Sequence, residues 1–330
     1  MRRRLLGSGA GLLISLVALG LLVGLMDVQA AVNELGRAEV LPLLGVAPVL
    51  VLQLTLRTFR WRLLLQGTAA SPTIPIRRLL PVLLIGYLAN AVLPARLGEP
   101  IRAYLAGRRE HIDAAESFGI VILERILDTA SLAAVALVAS IVAPGPTWLT
   151  QALAAATVAG VVVVGLLVSG LVGGLSRAID RRTAGHEGVL AIPARLFQRI
   201  ALGADGARRH GAVGVAIAVS VACWLLDATT FWLVGQSVGV NLSPAGALLI
   251  AAVTVLGTAL PAAPGYLGTF DLAAAATATA LGVPAASALA LAVLAHVVTV
   301  LPAAAAGALA VVATGSGLRA AAAPAGHTDP

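Results

Sequence analysis

The sequence contains no lysine, one cysteine and few charged residues of any kind. Because Cys223 is the only cysteine, an intramolecular disulfide framework and a thiolate metal site are both excluded. Charged residues make up 11% of the 330 residues and hydrophobic residues 59%. The mean hydropathy of +0.97 lies far outside the range of soluble globular domains. The chain is therefore predicted to be an integral membrane protein.

The sequence contains several long apolar runs. Six runs of at least 17 residues occur at roughly 5–26, 40–56, 117–142, 150–174, 211–235 and 285–313. They do not alternate apolar and polar residues as the strands of a closed barrel do, so their backbone groups must be satisfied within helices. The first run follows three arginines, like a signal peptide, but its length of about 22 residues favours a retained helix. We expect about six full transmembrane helices.

The 22 basic residues are all arginines, and they are unevenly distributed. Twenty of them fall in five segments: three at 2–4, five at 57–78, four at 96–109, seven at 177–209 and one at 319. The loops near 143–150, 236–246 and 282–285 carry no charge. The positive-inside rule therefore predicts that both termini lie on the cytoplasmic side of the membrane. We expect this membrane to be a bacterial-type inner membrane. Membrane orientation, rather than nucleic acid binding, explains the net charge of +7.

Segment 79–93 is apolar and about long enough to cross the membrane, yet arginines lie on both sides of it. It is therefore predicted to enter and return on the cytoplasmic side as a re-entrant hairpin. The hairpin consists of a half-helix over 79–93, a break from Pro94 to Gly98 and a short half-helix over 99–107. Such a break survives only where protein or a watery cavity surrounds it. The alternative is that Pro94 and Gly98 merely kink spanning helices.

A second broken hairpin is predicted near the C-terminus. Residues 246–260 lead into LPAAPGYLGTFD at 260–271, and a further apolar stretch ends near Leu281. The loops around this segment are uncharged, so it is expected to enter from the extracytoplasmic side.

The two breaks align when the sequence is shifted on itself by 167 residues, which places Pro94 on Pro261 and Gly98 on Gly265. The predicted fold class is an all-α polytopic membrane protein with two re-entrant hairpins arranged as an inverted repeat. Inverted repeats with broken helices are typical of secondary transporters, whose binding site lies where the breaks face each other. The predicted plan is one membrane domain over 1–315, with repeats at about 40–142 and 211–313, a basic cytoplasmic loop at 175–210 and a disordered tail at 316–330. Within the loop, 189–202 is either an amphipathic interfacial helix or a simple connector.

The first break supplies groups that suit an anion. If Gly98 ends the break, Pro100 lies in the first turn of the outgoing half-helix, where its missing N–H costs nothing. The N-terminus of that helix then points its unpaired N–H groups and positive dipole toward the middle of the membrane. Arg96 and Arg102 add positive charge, and Glu99 could pair with Arg102 at i, i+3.

The segment LERILD at 123–128 places Glu124, Arg125 and Asp128 inside the membrane. Glu124 and Asp128 share a helix face, and Arg125 can pair with Asp128 at i, i+3. Charges at this depth cost about 2.5–3.5 kcal/mol each even on insertion scales, so they must pair or face a cavity. Two interpretations stay open, a ligand site and a structural ion-pair network.

The second break carries Gly265 and Gly268, which open a half-helix from the opposite side. Asp271 follows this break, and Asp227 and His296 lie alone within later apolar runs. These three ionisable residues are either a proton relay, for which histidine is suited, or hydrogen-bonded packing partners.

At these residues the sequence resembles the lysylphosphatidylglycerol synthase transmembrane-region family, also called flippase-like proteins. The matching positions are Asn90, Pro94, Gly98, Glu99, Arg102, Glu124, Arg125, Asp128, Leu260, Pro261, Pro264, Gly265, Gly268, Gly282, Val283 and Gly307. The resemblance covers most of 10–315, and it departs from the family at Asp271, where glutamate is usual, and at His296, where arginine is usual. It implies handling of an anionic phospholipid or a polyprenyl-phosphate carrier. It does not imply synthase activity, because the aminoacyl-transferring domain of bifunctional members has no counterpart here.

The preferred hypothesis is a transporter that moves the headgroup of an anionic lipid between leaflets. The candidate ligand-binding residues are Arg96, Gly98, Glu99, Arg102, Glu124, Arg125, Asp128, Gly265, Gly268, Asp271 and His296. One alternative is a non-transporting accessory subunit of a lipid-modifying enzyme or glycosyltransferase, and another is catalysis on a lipid-linked sugar with Glu124 or Asp128 as general base. The sequence has no serine elbow, HExxH or phosphate-binding loop, so we expect neither enzymatic activity nor ATP hydrolysis. No cofactor, metal or nucleic acid is expected.

The inverted repeat predicts that the two breaks are reached from opposite sides of the membrane. In a Cys223→Ala background, a membrane-impermeant maleimide should label Leu97→Cys only from the cytoplasmic side and Tyr266→Cys only from the other side. Labelling of intact cells and of inverted vesicles measures this, and labelling of both positions from one side alone would refute the inverted arrangement.

Overall fold

The computed structural model describes residues 2–66, 74–93, 96–143, 145–169, 211–258 and 262–315, with a few isolated residues between 171 and 206. Every regular element in these ranges is helical, as the apolar runs predict. The α-helices are α1 (Arg2–Leu25), α2 (Val28–Gly36), α3 (Val40–Leu44), α4 (Val46–Leu65), α5 (Ile76–Val92), α6 (Gly98–Glu110), α7 (Ala114–Val142), α8 (Thr147–Val168), α9 (Ala212–Ser237), α10 (Pro244–Gly257), α11 (Thr269–Ala280) and α12 (Ala285–Ala313). A short 3-10 turn at Pro264–Tyr266 lies between α10 and α11.

Five helical segments of the described chain are long and apolar enough to cross a membrane. They are Val40–Leu65 (α3 with α4), α7, α8, α9 and α12. A sixth candidate is the pair Gly11–Leu25 and Val28–Gly36, which bends by 84°. At this bend Asp27 caps α2, and its Oδ1 accepts the Ala30 amide at 2.9 Å. The expectation of a multi-pass membrane protein with about six spans is confirmed.

The two segments predicted as broken hairpins each form two helices packed side by side around a break. In the first, α5 ends at Val92 and α6 begins at Gly98. A Cβ at Gly98 would lie 2.5 Å from Asn90 Oδ1, so only glycine lets α6 approach α5 this closely. In the second, α10 ends at Gly257 and α11 begins at Thr269.

The two breaks meet inside the protein. Arg96 of the first break donates from Nη2 to Thr258 Oγ1 at 2.7 Å, just beyond the end of α10. The guanidinium of Arg96 also lies 5.4 Å from the centroid of the Tyr266 ring in the second break. A hydrogen bond and a cation–π contact therefore join two chain segments that are about 165 residues apart.

The two halves of the chain repeat the same packing. In the first half α5 packs on α6, α6 on α7 and α4 on α7, and the equivalent second-half pairs are α10 on α11, α11 on α12 and α9 on α12. The halves meet through α4 and α9. The first hairpin also rests on α12, the last helix of the other half, and α10 of the second hairpin rests on α7. This exchange places the two breaks next to each other.

One boundary predicted from the sequence is wrong. The apolar run at 40–56 predicts a helix that ends before Arg57, but α4 continues through Arg57 and Arg60 to Leu65. The apolar and aromatic side chains beyond Arg57 hold the helix in the core, where Trp61 and Leu64 are fully buried. The predicted interfacial helix at 189–202 and the tail at 316–330 lie outside the described residues, apart from a few isolated positions.

The contact between α5 and α12 depends on Gly307. A Cβ there would lie 2.7 Å from Leu88 Cβ and closer still to the Leu84 carbonyl, whereas a Cβ at Gly165 on α8 would meet nothing within 4 Å. Gly307→Val should therefore lower the free energy of unfolding by about 1–3 kcal/mol through overpacking. Gly165→Val is the matched control and should be neutral or stabilising, because valine is the better helix former. Thermal unfolding in detergent measures both, and equal behaviour of the two variants would contradict this packing.

Candidate functional site

A buried ion network joins α4, α7 and α9, and Arg60 is its centre. The Arg60 side chain has no solvent exposure. Its Nη2 donates to Glu124 Oε1 at 2.7 Å, and its Nη1 donates to Asp128 Oδ1 and to Ser220 Oγ, the latter at 2.6 Å. Because a guanidinium offers its donors in a fixed fork, these partners fix both carboxylates in place.

Each of these two carboxylates is bound by further arginines. Glu124 Oε2 accepts from Arg102 Nη2 at 2.7 Å, and Arg125 Nη2 lies 3.2 Å from Glu124 Oε1. Asp128 Oδ2 lies 3.4 Å from Arg125 Nη2 and 4.0 Å from Arg57 Nη1. The predicted i, i+3 pair of Arg125 and Asp128 is therefore confirmed. Arg102 pairs with Glu124 on α7 rather than with Glu99 on its own helix.

A third carboxylate, from α9, completes the network. Asp227 Oδ2 accepts from Arg57 Nη2 at 2.9 Å, and the Arg57 guanidinium lies 5.3 Å from the Trp224 ring centroid. Trp224 Nε1 in turn donates to the Asp128 carbonyl at 3.2 Å. The described network thus sets four arginines against three carboxylates. The pairing offsets the cost of burying these charges, and one positive charge remains in excess.

Sequence reasoning missed three members of this network. The sequence places Arg57 and Arg60 beyond the apolar run at 40–56 and Asp227 alone within a later apolar run. The available signal was that Arg57 and Arg60 have i, i+3 spacing within an apolar and aromatic run that contains no helix breaker.

A cavity of about 640 Å³ lies beside the network, where the two breaks meet. Its polar lining includes the charged residues Arg57, Arg96, Glu99, Arg125 and Asp227. Most of the other walls are apolar and come from α3, α4 and α12. Val51 and Leu301 line these walls and are 65% and 59% exposed, and each lies in a helical segment long and apolar enough to span a membrane. The cavity is therefore open beside apolar side chains of two candidate spanning helices.

Three of these lining residues keep polar atoms unpaired. Arg96 Nε, Arg125 Nε and Glu99 Oε2 are buried and have no hydrogen-bond partner within the described part of the chain. Arg96 also adopts a left-handed backbone with φ of 53°, which is costly for a residue other than glycine. An unpaired buried polar group in a native protein calls for a partner, and these three residues line a cavity that can admit one.

The N-terminus of α6 differs from the sequence expectation. The Gly98 amide donates to Asn90 Oδ1 at 2.7 Å, and the Glu99 amide donates to the Arg96 carbonyl at 3.4 Å. Pro100 has no N–H to offer. An anion would therefore reach the Gly98 amide only by displacing Asn90, and the positively charged donors that line the cavity are arginine side chains.

The remaining candidates form a second cluster. Asp271 Oδ2 accepts the Gly268 amide at 3.1 Å, and Asp271 Oδ1 lies 2.9 Å from His296 Nδ1. The other ring nitrogen of His296 lies 2.7 Å from the Gly265 carbonyl oxygen. Phe270 joins the two clusters, because it lines the main cavity and stacks on His296 with ring centroids 4.5 Å apart.

The network predicts which arginine the fold requires. Arg60→Met should lower the free energy of unfolding by about 3–5 kcal/mol, because it leaves Glu124 and Asp128 buried without their central partner. Arg125→Met is the matched control and should cost much less, since its side chain is 35% exposed and both carboxylates keep other arginines. Denaturant unfolding in detergent measures the difference, and equal losses would show that Arg60 is not central.

Two curated proteins are similar to this chain. One is "Glycosyltransferase AglD" of Haloferax volcanii, which is 27% identical over 299 residues that cover 80% of this chain and 47% of the relative. Another is a "UPF0104 membrane protein" of Methanothermobacter thermautotrophicus, 25% identical over 280 residues that cover 78% of this chain and 80% of the relative. The chain thus spans about half the length of the glycosyltransferase it matches. No solved structure matches.

The family comparison covers most of the chain. Residues 9–307 match the family described as "Lysylphosphatidylglycerol synthase TM region". The matched range contains both breaks, the ion network and the cavity. The chain therefore belongs to the lysylphosphatidylglycerol synthase transmembrane-region family, as its motifs predict.

Proposed function

We propose that the protein moves the headgroup of an anionic lipid, either a phospholipid or a polyprenyl phosphate, between the two leaflets of the membrane. The observation that carries this proposal is the cavity between the breaks. It is lined by arginines with unpaired N–H groups and by apolar side chains, of which Val51 and Leu301 are exposed. An amphiphile with a negatively charged head has the complementary chemistry.

The charged residues that line the cavity suit a phosphate. Three arginines and two carboxylates of the described chain line the cavity, so its lining carries an excess positive charge. Guanidinium groups bind phosphate oxygens through paired N–H donors. Asp227 pairs with Arg57 and Asp128 pairs with Arg125, which orients the two arginines without neutralising the whole site.

The apolar walls suit a hydrocarbon chain. A volume of about 640 Å³ lies within the usual range for small-ligand sites, so it accommodates a headgroup and part of a chain. The exposed positions Val51 and Leu301 leave the remainder of the chain in the surrounding bilayer. The headgroup can then change its depth while the chain stays in hydrocarbon.

Movement between leaflets requires the site to open toward each side in turn. The matching helix contacts of the two halves, together with the shift of 167 residues that aligns their breaks, support an inverted repeat with two re-entrant hairpins. Such repeats alternate by rocking one half against the other around a central site. Arg96 holds the two breaks together through Thr258 and Tyr266. A phosphate that competes for Arg96 would weaken this link and favour rocking.

The arrangement of Glu124 and Asp128 favours transport over catalysis. Each carboxylate is in contact with three arginines and is almost fully buried. A general base needs an accessible oxygen within hydrogen-bond distance of the substrate proton. We therefore propose that neither residue acts as a base and that the protein has no enzymatic activity of its own.

Arg125 provides the sharpest test of lipid movement. In liposomes that contain fluorescent phosphatidylglycerol, Arg125→Ala should reduce the rate of transbilayer movement about 10-fold to 100-fold, because a charge-assisted hydrogen bond contributes roughly 1.5–3 kcal/mol. Arg37→Ala is the matched control, since Arg37 is exposed at the end of α2 and should leave the rate unchanged. Dithionite quenching of the outer leaflet measures both rates. Equal rates for the two variants at equal reconstitution would contradict the proposed role of Arg125.

A second candidate function is an accessory membrane subunit of a lipid-modifying enzyme. This possibility is favoured by the glycosyltransferase relative, in which the matched region makes up only about half of the chain. The same liposomes separate the two proposals. If the purified protein does not accelerate the transbilayer movement of any anionic lipid, including a polyprenyl phosphate, the accessory role is favoured over transport.

A further inference from the structure

The pair of Asp271 and His296 lies outside the arginine network and contacts both ends of the second break. His296 of α12 reaches Asp271 of α11 with one ring nitrogen at 2.9 Å and the Gly265 carbonyl with the other at 2.7 Å. Asp271 also accepts the Gly268 amide. One imidazole ring therefore joins α12 to both ends of the turn that precedes α11.

The two partners of His296 are both acceptors. A neutral imidazole has one donor and one acceptor, so it can satisfy a carbonyl oxygen and an ionised carboxylate only one at a time. Both short contacts become hydrogen bonds in two cases only. Either His296 is an imidazolium, or Asp271 is protonated and donates to Nδ1 while Nε2 donates to Gly265. Each case holds one proton more than a neutral imidazole beside an ionised carboxylate.

Apolar groups surround this pair. A second cavity of about 470 Å³ borders it, and the apolar residues that the neighbouring helices contribute to that cavity include Leu19 and Leu22 of α1, Val28 of α2, Ala91 of α5 and Val293 of α12. Among the described residues that line it, Asp271 is the one titratable group besides His296. Tyr266 in the break and Arg96 above its ring line the main cavity, and Asp27 at the start of α2 is exposed. In such surroundings an unsatisfied acceptor is costly.

The turn that His296 holds is strained. Gly265, Tyr266 and Gly268 have φ values of 69°, 61° and 82°, and the left-handed region is unfavourable for tyrosine. Loss of the proton turns one of the two hydrogen bonds into a contact between lone pairs. The strained turn then loses part of what fixes it, and the second break can move relative to Arg96.

We infer that Asp271 and His296 form a proton-binding site that closes the second break when it is occupied and releases it when it is empty. The inference rests on the proposed lipid movement for its consequence, in which the proton is the ion coupled to opening of the cavity. The two cavities share Ala91, Val297, Val300 and Leu301 in their linings, so a shift of this break changes the shape of the lipid site.

Nuclear magnetic resonance tests the bound proton directly and without any transport. In full-length protein labelled with ¹⁵N-histidine and ¹³C-aspartate in nanodiscs, His296→Gln and Asp271→Asn identify the two signals. We expect one extra proton on the pair at the acidic end of the histidine range, about pH 5 to 8, seen as an imidazolium or a protonated carboxyl, and its loss as the pH is raised. A neutral imidazole beside an ionised carboxylate throughout this range would overturn the inference. An unchanged protonation state throughout the range would do the same.

Transport in proteoliposomes tests the coupling. When one proton is coupled to closure, the ratio of closed to open protein changes by up to about tenfold per pH unit. The rate of phosphatidylglycerol movement should therefore vary with pH. His296→Arg keeps donors for both acceptors at every pH and should abolish this dependence. His111→Arg alters an exposed histidine beyond α6 and should preserve it. An unaltered pH profile in a folded His296→Arg protein would overturn the coupling. Absence of lipid movement at any pH would refute the proposed function, and the magnetic resonance result would still decide the proton site.

Discussion

The buried guanidinium of Arg60 is the interaction on which the rest of the structure depends. It binds Glu124 and Asp128 at a place that water does not reach, and a lone charge there would cost several kcal/mol. The two carboxylates in turn bind arginines from α4, α6 and α7. Helices that are far apart in sequence are thereby held in one arrangement, and the first hairpin is tied to α7 through Arg102.

The same pairing leaves usable donors beside the cavity. Arg125 and Arg57 are bound by carboxylates on one side and line the cavity, and Arg96 reaches across from the first break to the second. Fixed donors beside an apolar space favour an anionic amphiphile over a soluble anion, because the walls contribute only when a hydrocarbon chain is present. The second cluster differs in kind, since its bonds depend on a proton rather than on permanent charges.

Features set by local sequence could be predicted, and pairings over long distances could not. The length of the apolar runs predicts the spanning helices. The arginines on both sides of 79–93, together with Pro94 and Gly98, indicate the first broken hairpin. The i, i+3 spacing gave the pair of Arg125 and Asp128. By contrast, Arg57 meets Asp227 across 170 residues, and the Gly98 amide is occupied by Asn90 from the preceding helix. No periodicity encodes such contacts, because they arise from how the helices pack.

Cryo-electron microscopy of the protein in nanodiscs with phosphatidylglycerol tests the central claim most directly. The account predicts a phosphate within hydrogen-bond distance, about 3 Å, of both Arg96 and Arg125, with an acyl chain running along α12 toward Leu301. Lipid density confined to the outer surface of the helices, with no phosphate between these two arginines, would contradict it.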